Sequence, residues 1–297
     1  MTIAAWAPSH ATLFFAVPAK FENPVKMGSI GGGFNFRHGV ITRISDGVHE
    51  NTVYWNDKQI EGQVTKTAIR LFKQFYQVEG YLTINHSSDI PIGFGLSTSG
   101  AGAIGTVLCL DRYFNTNGSQ EDLFQIAHEA ELLNKTGLGS VVGQITSHIE
   151  LRMTQGGPKV CETKSFLSDE TLILALLGPL NTSDVLKSEV QMNQVTISGL
   201  SVLEEAVQIT DNHLIKFIRL GKRFSLSCGL LTERLNSLIL SLESIGEMHV
   251  CMAMIGEALI ICPTNITSVI NLLKEMNINF IETNITHEKP KLLEPIP

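Results

Sequence analysis

Pro91-Ile-Gly-Phe-Gly-Leu-Ser-Thr-Ser-Gly-Ala-Gly102 is the stretch of this chain that predicts most about its fold. Its glycines let the backbone approach a ligand closely, and its three consecutive hydroxyl side chains offer oxygens to phosphate or to the shell of a Mg²⁺ ion. The small residues that follow begin a helix, whose free N–H groups and positive dipole end favour an anion. We therefore predict a phosphate-binding loop. Its nucleotide contacts are expected from Pro91, Gly93, Gly95, Leu96, Ser97, Thr98, Ser99, Gly100 and Ala101.

Two other interpretations start from the same residues. The stretch is also typical of a Gly/Ser-rich connector that only caps a helix. Gly100-x-Gly102-x-x-Gly105 matches a dinucleotide fingerprint, but too many residues separate it from the strand expected to end at Asn85. The loop is not a Walker A loop, because no lysine lies between Lys73 and Lys135. Backbone amides, hydroxyls and a metal ion would therefore have to balance phosphate charge.

The composition restricts the classes of protein to consider. The chain has 297 residues, of which 43% are apolar and 17% charged, as in globular proteins. Its formal net charge of −7, from 22 basic and 29 acidic side chains, argues against general nucleic-acid binding. The five cysteines are scattered, which favours reduced thiols over a zinc site. The longest apolar run, residues 172–177, is too short to span a bilayer, and no leader is recognisable, so we expect a cytoplasmic protein without a membrane segment.

Hydrophobic periodicity predicts an α+β protein with two halves, residues 1–160 and 161–297, divided near Gly156-Gly157-Pro158. The first third is rich in predicted strands, and the middle is helical. A strand–strand–helix–strand pattern closes the chain. The predicted strands include 2–7, 11–17, 39–44, 48–55, 80–85, 172–177, 249–254, 258–262 and 278–283, and the helical segments include 64–75, 101–110, 189–218 and 267–276. Residues 28–33 are expected to form a flexible glycine-rich turn.

The proline, the two glycines and Leu-Ser-x-Ser of the loop resemble the phosphate loop of the GHMP kinase superfamily. Residues 7–15, 24–33, 136–139 and 251–256 resemble the archaeal pantoate kinases within that superfamily. The resemblance implies a ribosomal-S5-like N-terminal half packed on a ferredoxin-like C-terminal half. It also implies transfer of phosphate from Mg²⁺–ATP to a hydroxyl of pantoate, which gives 4-phosphopantoate in coenzyme A biosynthesis, and it suggests a homodimer.

Residue roles follow from the same resemblance. Ser99 and Glu131 would hold Mg²⁺ with ATP. Pantoate would be recognised by His10, Ser29, His128, Arg152 and Thr182. The chemistry agrees with these roles, because hard oxygen ligands suit Mg²⁺ and an arginine fork suits a carboxylate. The residues alone also allow plainer interpretations. His128 and Glu131 would then lie on a solvated helix face, Arg152 would be a surface charge, and His10 and Ser29 would belong to turns.

Two departures from the superfamily pattern affect the functional prediction. Ser140 stands where the family has an aspartate, and serine is a poor general base, so the catalytic base is not identified. Ile30 stands where the glycine-rich segment usually has an arginine. Phosphoryl transfer depends mainly on positioning and on charge stabilisation, so activity is still expected. The alternatives are a kinase for another hydroxy acid, such as mevalonate or homoserine, and a nucleotide-binding relative with weakened catalysis.

Overall fold

The computed structural model describes residues 3–180, 189–246 and 248–294, and it confirms the predicted α+β class. Strands and helices are interspersed, and the strands form two separate sheets. Thr182, predicted to contact the substrate, lies outside the described residues. Among the described residues, no helix combines the length and the apolar character that crossing a membrane requires.

The first sheet contains most of the N-terminal strands. Its main path runs β12-β1-β2-β5-β3-β4, and β6 joins it by pairing with β2 and with β7. The strands are β1 (Ile3–Ala16), β2 (Ile30–Asp46), β3 (Thr52–Trp55), β4 (Lys58–Ile60), β5 (Leu82–Ser87), β6 (Ile149–Arg152), β7 (Thr163–Phe166) and β12 (Lys291–Leu293). All pairs are antiparallel except β3 with β5. The long β1–β2 ribbon is the backbone of this half.

Four helices belong to the first half, and all four share a core with the first sheet. They are α1 (Gln63–Tyr76), α2 (Thr98–Phe114), α3 (Gln120–Asn134) and α4 (Ser140–Thr146). Helix α2 is buried over its first thirteen residues except at Ser99, because its glycines and alanines let it lie against both the sheet and α3. This close packing fixes the end of α2 that follows the predicted phosphate loop.

The second sheet is antiparallel, with the order β11-β8-β10-β9. Its strands are β8 (Thr171–Gly178), β9 (Met248–Met252), β10 (Glu257–Pro263) and β11 (Asn279–Asn284), and the helices of this half are α5 (Glu189–Ala206), α6 (His213–Ser227), α7 (Glu233–Ser244) and α8 (Ile266–Glu275). The larger hydrophobic core joins these elements to the second half of β1, including Leu13 and Phe14. Strand β1 therefore belongs to both cores and ties the two halves together.

Several elements differ from the prediction. Residues 3–16 form one strand instead of two, because a register shift after Pro8 lets the ribbon continue past a residue that has no N–H to donate. Gly31, Gly32 and Gly33 lie inside β2 and not in a flexible turn. The helical segment 189–218 is interrupted near Asp211-Asn212, where α6 begins, and α7 was not anticipated. The boundary after residue 160 stays a prediction, since β7 and β12 beyond it still belong to the first sheet.

Candidate active site

One cleft lies where the two halves meet, at the loop 91–97. It encloses about 850 Å³ when its open mouth is included. One side is formed by the loop and by residues 136–140, which precede and begin α4. The other side is formed by Thr12 and Phe15 of β1, Ser29, and Met254 with Ile255. The predicted phosphate loop is therefore a wall of a cleft, and it does more than connect β5 to α2.

The loop has a conformation that few residue types adopt. Gly93 and Gly95 have φ values of 88° and 76°, in the left-handed region that favours glycine. A Cβ on Gly95 would lie 2.8 Å from the backbone N of Gly256, because the loop packs directly on the turn between β9 and β10. The main-chain N–H of His10 donates to the carbonyl of Leu96 at 3.2 Å. The loop is thus held by backbone contacts from both halves.

The start of α2 leaves its N–H groups available to a ligand. Ser97 precedes the helix with φ 53°, and its side chain makes no capping bond. The first N–H groups of a helix have no partner within it, so those of Thr98, Ser99 and Gly100 point out of the helix end. Gln144 of α4 donates through Nε2 to the carbonyls of Ser97 (2.9 Å) and Pro8 (2.8 Å) and so fixes the turn before the helix.

Glu131 of α3 is a buried carboxylate beside this helix end. Its Oε1 accepts a hydrogen bond from Thr136 Oγ1 at 2.7 Å, and its Oε2 accepts one from Ser140 Oγ at 3.2 Å. Burial raises the pKa of Glu131, and hydrogen bonds from Thr136, Ser99 and Ser140 oppose that rise by stabilising the ionised form. A Cβ on Gly137 would lie 2.4 Å from Oε2, so the glycine leaves room beside the carboxylate.

These donors fit a magnesium ion. Mg²⁺ usually takes one or two carboxylates from the protein and fills the other positions with water and phosphate oxygens. Glu131 supplies the carboxylate and Ser99 a neighbouring hydroxyl. The described part of the chain has no group of three or more His, Cys, Asp and Glu side chains able to hold a metal ion. A metal at this cleft would therefore depend on the nucleotide for part of its coordination.

Arg152 is fully buried and, like His10 and His128, lies behind the cleft wall, here behind Gly139. Its Nη1 donates to Glu150 Oε1, while its Nε and Nη2 have no hydrogen-bond partner among the described residues. A Cβ on Gly139 would lie 2.8 Å from Arg152 Nε and 2.5 Å from Ser29 Oγ. Gly139 and Ser29 both line the cleft. The two predicted substrate residues Ser29 and Arg152 thus meet at one place.

His10 and His128 do not line the cleft. His10 Nε2 bonds Glu150 Oε1 at 3.0 Å, and His128 Nε2 donates to the carbonyl of Met27 at 2.8 Å. Both rings are buried, which lowers the pKa of His10 and lowers that of His128 to about 4. The direct substrate contacts predicted for the two histidines therefore need correction, because each ring supports a segment behind the cleft wall. The plainer interpretations are also wrong, since Glu131 and Arg152 are buried as well.

Sequence reasoning missed the parts of four residues that lie in the cleft wall or behind it. Glu150 precedes Arg152 by two residues in β6, and strand alternation puts both on one face, which was the available signal. Gln144 had no signal, because a glutamine in a short helix is unremarkable. Phe15 and Met254 fall in the predicted strands 11–17 and 249–254, and only the meeting of the two halves brings them to the cleft.

Comparisons with known proteins agree with this geometry. Residues 63–145, from α1 to α4, match the family described as "GHMP kinases N terminal domain". The pantoate kinase of Thermococcus kodakarensis is 30% identical over 98% of this chain and 98% of its own length. The pantoate kinase of Methanocaldococcus jannaschii is 29% identical over 78% of this chain and 83% of its own.

A solved structure extends the similarity to the whole fold. It is described as a phosphotransferase related to the coenzyme A biosynthesis pathway, and it superposes with a TM-score of 0.86 at 28% identity. The match covers 98% of both chains. Similarity at this level includes both sheets and the cleft between them.

Proposed function

The chain belongs to the GHMP kinase superfamily, in the group of the pantoate kinases, and we propose that it transfers the γ-phosphoryl group of ATP to a hydroxyl of pantoate. The product would be 4-phosphopantoate, an intermediate on the way to coenzyme A. One observation carries the assignment of the acceptor. The phosphate loop lines the cleft, and directly behind the cleft residue Gly139 lies a buried arginine whose Nε and Nη2 have no hydrogen-bond partner among the described residues.

Pantoate matches the two ends and the middle of this cleft. It is a hydroxy acid, so its carboxylate can take the free edge of Arg152 while its hydroxyl reaches towards the loop. Its third carbon carries two methyl groups, which suit the apolar surface offered by Phe15, Leu138 and Met254. Homoserine has no such methyl groups and brings an ammonium, for which no carboxylate lines this part of the cleft among the described residues.

The phosphates of ATP would lie along the loop and the start of α2. Backbone N–H groups there meet negative charge without a lysine. Ser99 and Glu131 would hold Mg²⁺, which neutralises charge on the phosphates when it is bound. A second cleft, lined by Trp6, Asn56 and Ser88, lies beside the residues that lead into the loop, and we assign the nucleoside to it.

Ser140 lies beside the phosphate end, and its hydroxyl donates to Glu131. We infer that it orients the carboxylate and does not remove the proton of the substrate hydroxyl, because serine at its ordinary pKa is a weak base. The loose transition state of phosphoryl transfer places more weight on alignment than on a base. A cytoplasmic location, where ATP is available, belongs to the same proposal.

The test is ADP release by the purified protein with Mg²⁺–ATP and pantoate, with mevalonate and homoserine as competing acceptors. We expect turnover that depends on pantoate and is at least about tenfold more efficient than with either competitor, since a missing charge partner leaves buried polar groups unpaired. Turnover with mevalonate or homoserine alone would assign a different acceptor. ATP binding without turnover for any acceptor would identify a nucleotide-binding protein.

Arg152→Lys tests the carboxylate contact within the same assay. Lysine keeps the charge but loses the planar fork, so we expect the KM for pantoate to rise about 10- to 100-fold with little change in the KM for ATP. Arg70→Lys, on the exposed face of α1 and away from both clefts, is the matched control. An unchanged KM for pantoate in Arg152→Lys would remove the arginine from the substrate site.

A further inference from the structure

Three ionisable side chains form a buried hydrogen-bonded cluster behind the substrate end of the cleft. His10, Glu150 and Arg152 are all fully buried. One oxygen, Glu150 Oε1, accepts from His10 Nε2 at 3.0 Å and from Arg152 Nη1. A buried carboxylate shared by two donors on different strands is unusual unless the charges compensate one another.

The backbone of β2 makes room for this hydrogen-bonded cluster. Arg152 pairs with Gly31 and Glu150 pairs with Gly33 across the β2–β6 register. A Cβ on Gly33 would lie 2.8 Å from His10 Nε2, and one on Gly31 would lie 3.0 Å from Arg152 Nη2. The glycine run therefore provides the space in which the charged side chains lie against the sheet.

The bond to Glu150 leaves one edge of the guanidinium unused. Nη1 is occupied, whereas Nε and Nη2 have no partner in the described part of the chain. These two nitrogens form one edge of the planar fork, which fits a carboxylate with two parallel hydrogen bonds. Nε lies 2.8 Å from the position of a Cβ on Gly139, a residue of the cleft wall, so this edge lies directly behind the wall at a position that has no side chain.

Resting on the proposed function, we propose that Glu150 is a positioning residue for recognition of the substrate carboxylate. Its contact with Nη1 holds the Nε–Nη2 edge of Arg152 towards the cleft, and His10 holds Glu150 in turn. Arginine otherwise has high rotamer entropy, and fixing it before the substrate arrives removes that term from binding. Glu150 also compensates the buried positive charge while the cleft is empty of substrate.

The test compares pantoate with the triol in which a hydroxymethyl group replaces its carboxylate. The KM for pantoate, the inhibition constant of the triol and the KM for ATP are measured for wild type and for Glu150→Gln. We expect the KM for pantoate to rise about 10- to 100-fold in the variant, while the other two constants stay within about threefold. Glu162→Gln, an exposed carboxylate before β7, is the control and should match wild type.

Each outcome decides the proposal. A folded Glu150→Gln protein that keeps the wild-type preference for pantoate over the triol, or that loses affinity for both equally, would overturn it. If this variant does not fold, His10→Ala keeps the Glu150–Arg152 pair, and we expect its KM for pantoate to rise about three- to tenfold with the triol unaffected. An unchanged KM in His10→Ala would then overturn the proposal. Wild-type protein without pantoate turnover would instead refute the proposed function.

Discussion

The phosphate end and the substrate end, to which we assign the phosphates of ATP and the carboxylate of pantoate, would receive these anions by different means. At the phosphate end, residues 91–102 offer glycine conformations and helix N–H groups, and one carboxylate, Glu131, lies beside them. At the substrate end, a single buried guanidinium on Arg152 carries the positive charge, and Glu150 with His10 fixes it. One end relies on the main chain, and the other relies on a few side chains.

This difference sets how each end responds to change. Only a substitution by proline removes a backbone donor. The phosphate end is therefore sensitive mainly to side chains that are added to its glycines and to loss of the proposed metal ligand Glu131. Side-chain donors can be removed one at a time, and a buried charge left without its partner is costly. The comparison predicts a graded set of effects.

The largest effect is expected from Glu131→Ala. The substitution removes the carboxylate that we assign to Mg²⁺, and loss of a direct ligand should exceed the roughly 10- to 100-fold penalty typical of residues behind the ligands. We therefore expect kcat to fall by more than about 100-fold, with the loss partly offset by high Mg²⁺. The measurement is the ADP-release rate as a function of Mg²⁺ concentration.

Glu129→Ala is the matched control, because Glu129 lies on the same helix and its side chain accepts a hydrogen bond from Gln125 at 3.1 Å. Full activity of Glu131→Ala at low Mg²⁺ would place the metal elsewhere and would break the contrast between the two ends.

Gly95→Ala tests the main-chain character of the phosphate end. The new Cβ would lie 2.8 Å from the backbone N of Gly256, whereas a Cβ on Gly80 would meet nothing closer than 3.8 Å. Both positions have positive φ, but Gly80 has a φ of 138° and therefore a different backbone strain. A closer match in φ is Gly229, at 72° against 76° for Gly95, and a Cβ there would meet nothing closer than 3.7 Å. We expect Gly95→Ala to be about 1–3 kcal/mol less stable than Gly229→Ala in urea unfolding, and to raise the KM for ATP. Equal stabilities of the Gly95→Ala variant and its control would mean that the loop can move away from the turn between β9 and β10 to accommodate the new Cβ.

The difference between the two ends also explains which parts of the site could be predicted from the sequence. The phosphate end is contiguous, so its glycines, hydroxyls and following helix were readable directly, and Glu131 followed from the family resemblance. The fold class was readable because alternation and helical periodicity survive along each element. Contiguous features need no knowledge of the tertiary structure.

The substrate end was harder because it is assembled from separate elements. Gly31, Gly32 and Gly33 suggested a turn, since glycine is typical of turns. In the fold they lie in β2. The missing side chains of Gly31 and Gly33 leave room for Arg152 and His10 and for the backbone of β1, and that of Gly32 leaves room for Phe14 and Phe217. That purpose depends on β6, more than a hundred residues later in the chain. No local pattern contains this information.

A weaker effect is expected from pH. Burial lowers the pKa of His86 and of His128 to about 4, well below the ordinary value of 6.5. Between pH 4 and 6.5 these histidines are therefore protonated in the unfolded chain but not in the folded one. Their contribution to the free energy of unfolding is complete above pH 6.5 and is lost as the pH falls towards 4. Each histidine should lower the unfolding free energy by about 1 kcal/mol between pH 6.5 and 5.5. Urea unfolding at a series of pH values measures this slope.

Glutamine variants show how much each histidine contributes to the pH dependence of the unfolding free energy. His86 bonds Thr42 and Thr65 beneath α2, and His128 supports the segment before Ser29. His86→Gln and His128→Gln should each remove about 1 kcal/mol of the change between pH 6.5 and 5.5, because glutamine does not titrate. Only His128→Gln should raise the KM for pantoate. A slope that neither variant changes would assign the acid sensitivity to other groups, such as His10, whose pKa burial also lowers.

Ser140→Asp should have the smallest effect, and it tests whether the phosphate end tolerates a second carboxylate. Ser140 Oγ lies 3.2 Å from Glu131 Oε2, so an aspartate there would place two carboxylates together. Bound Mg²⁺ would separate their charges, and turnover at saturating Mg²⁺ should then stay within about threefold of wild type or rise, since the transition state asks little of a base. Ser140→Asn, of equal size but neutral, is the control. If Asp and Asn both abolish turnover in folded proteins, the position matters for its volume. If Asp alone does so while ligand affinities hold, the phosphate end depends on a neutral hydroxyl, and charge there must come from the main chain and the metal.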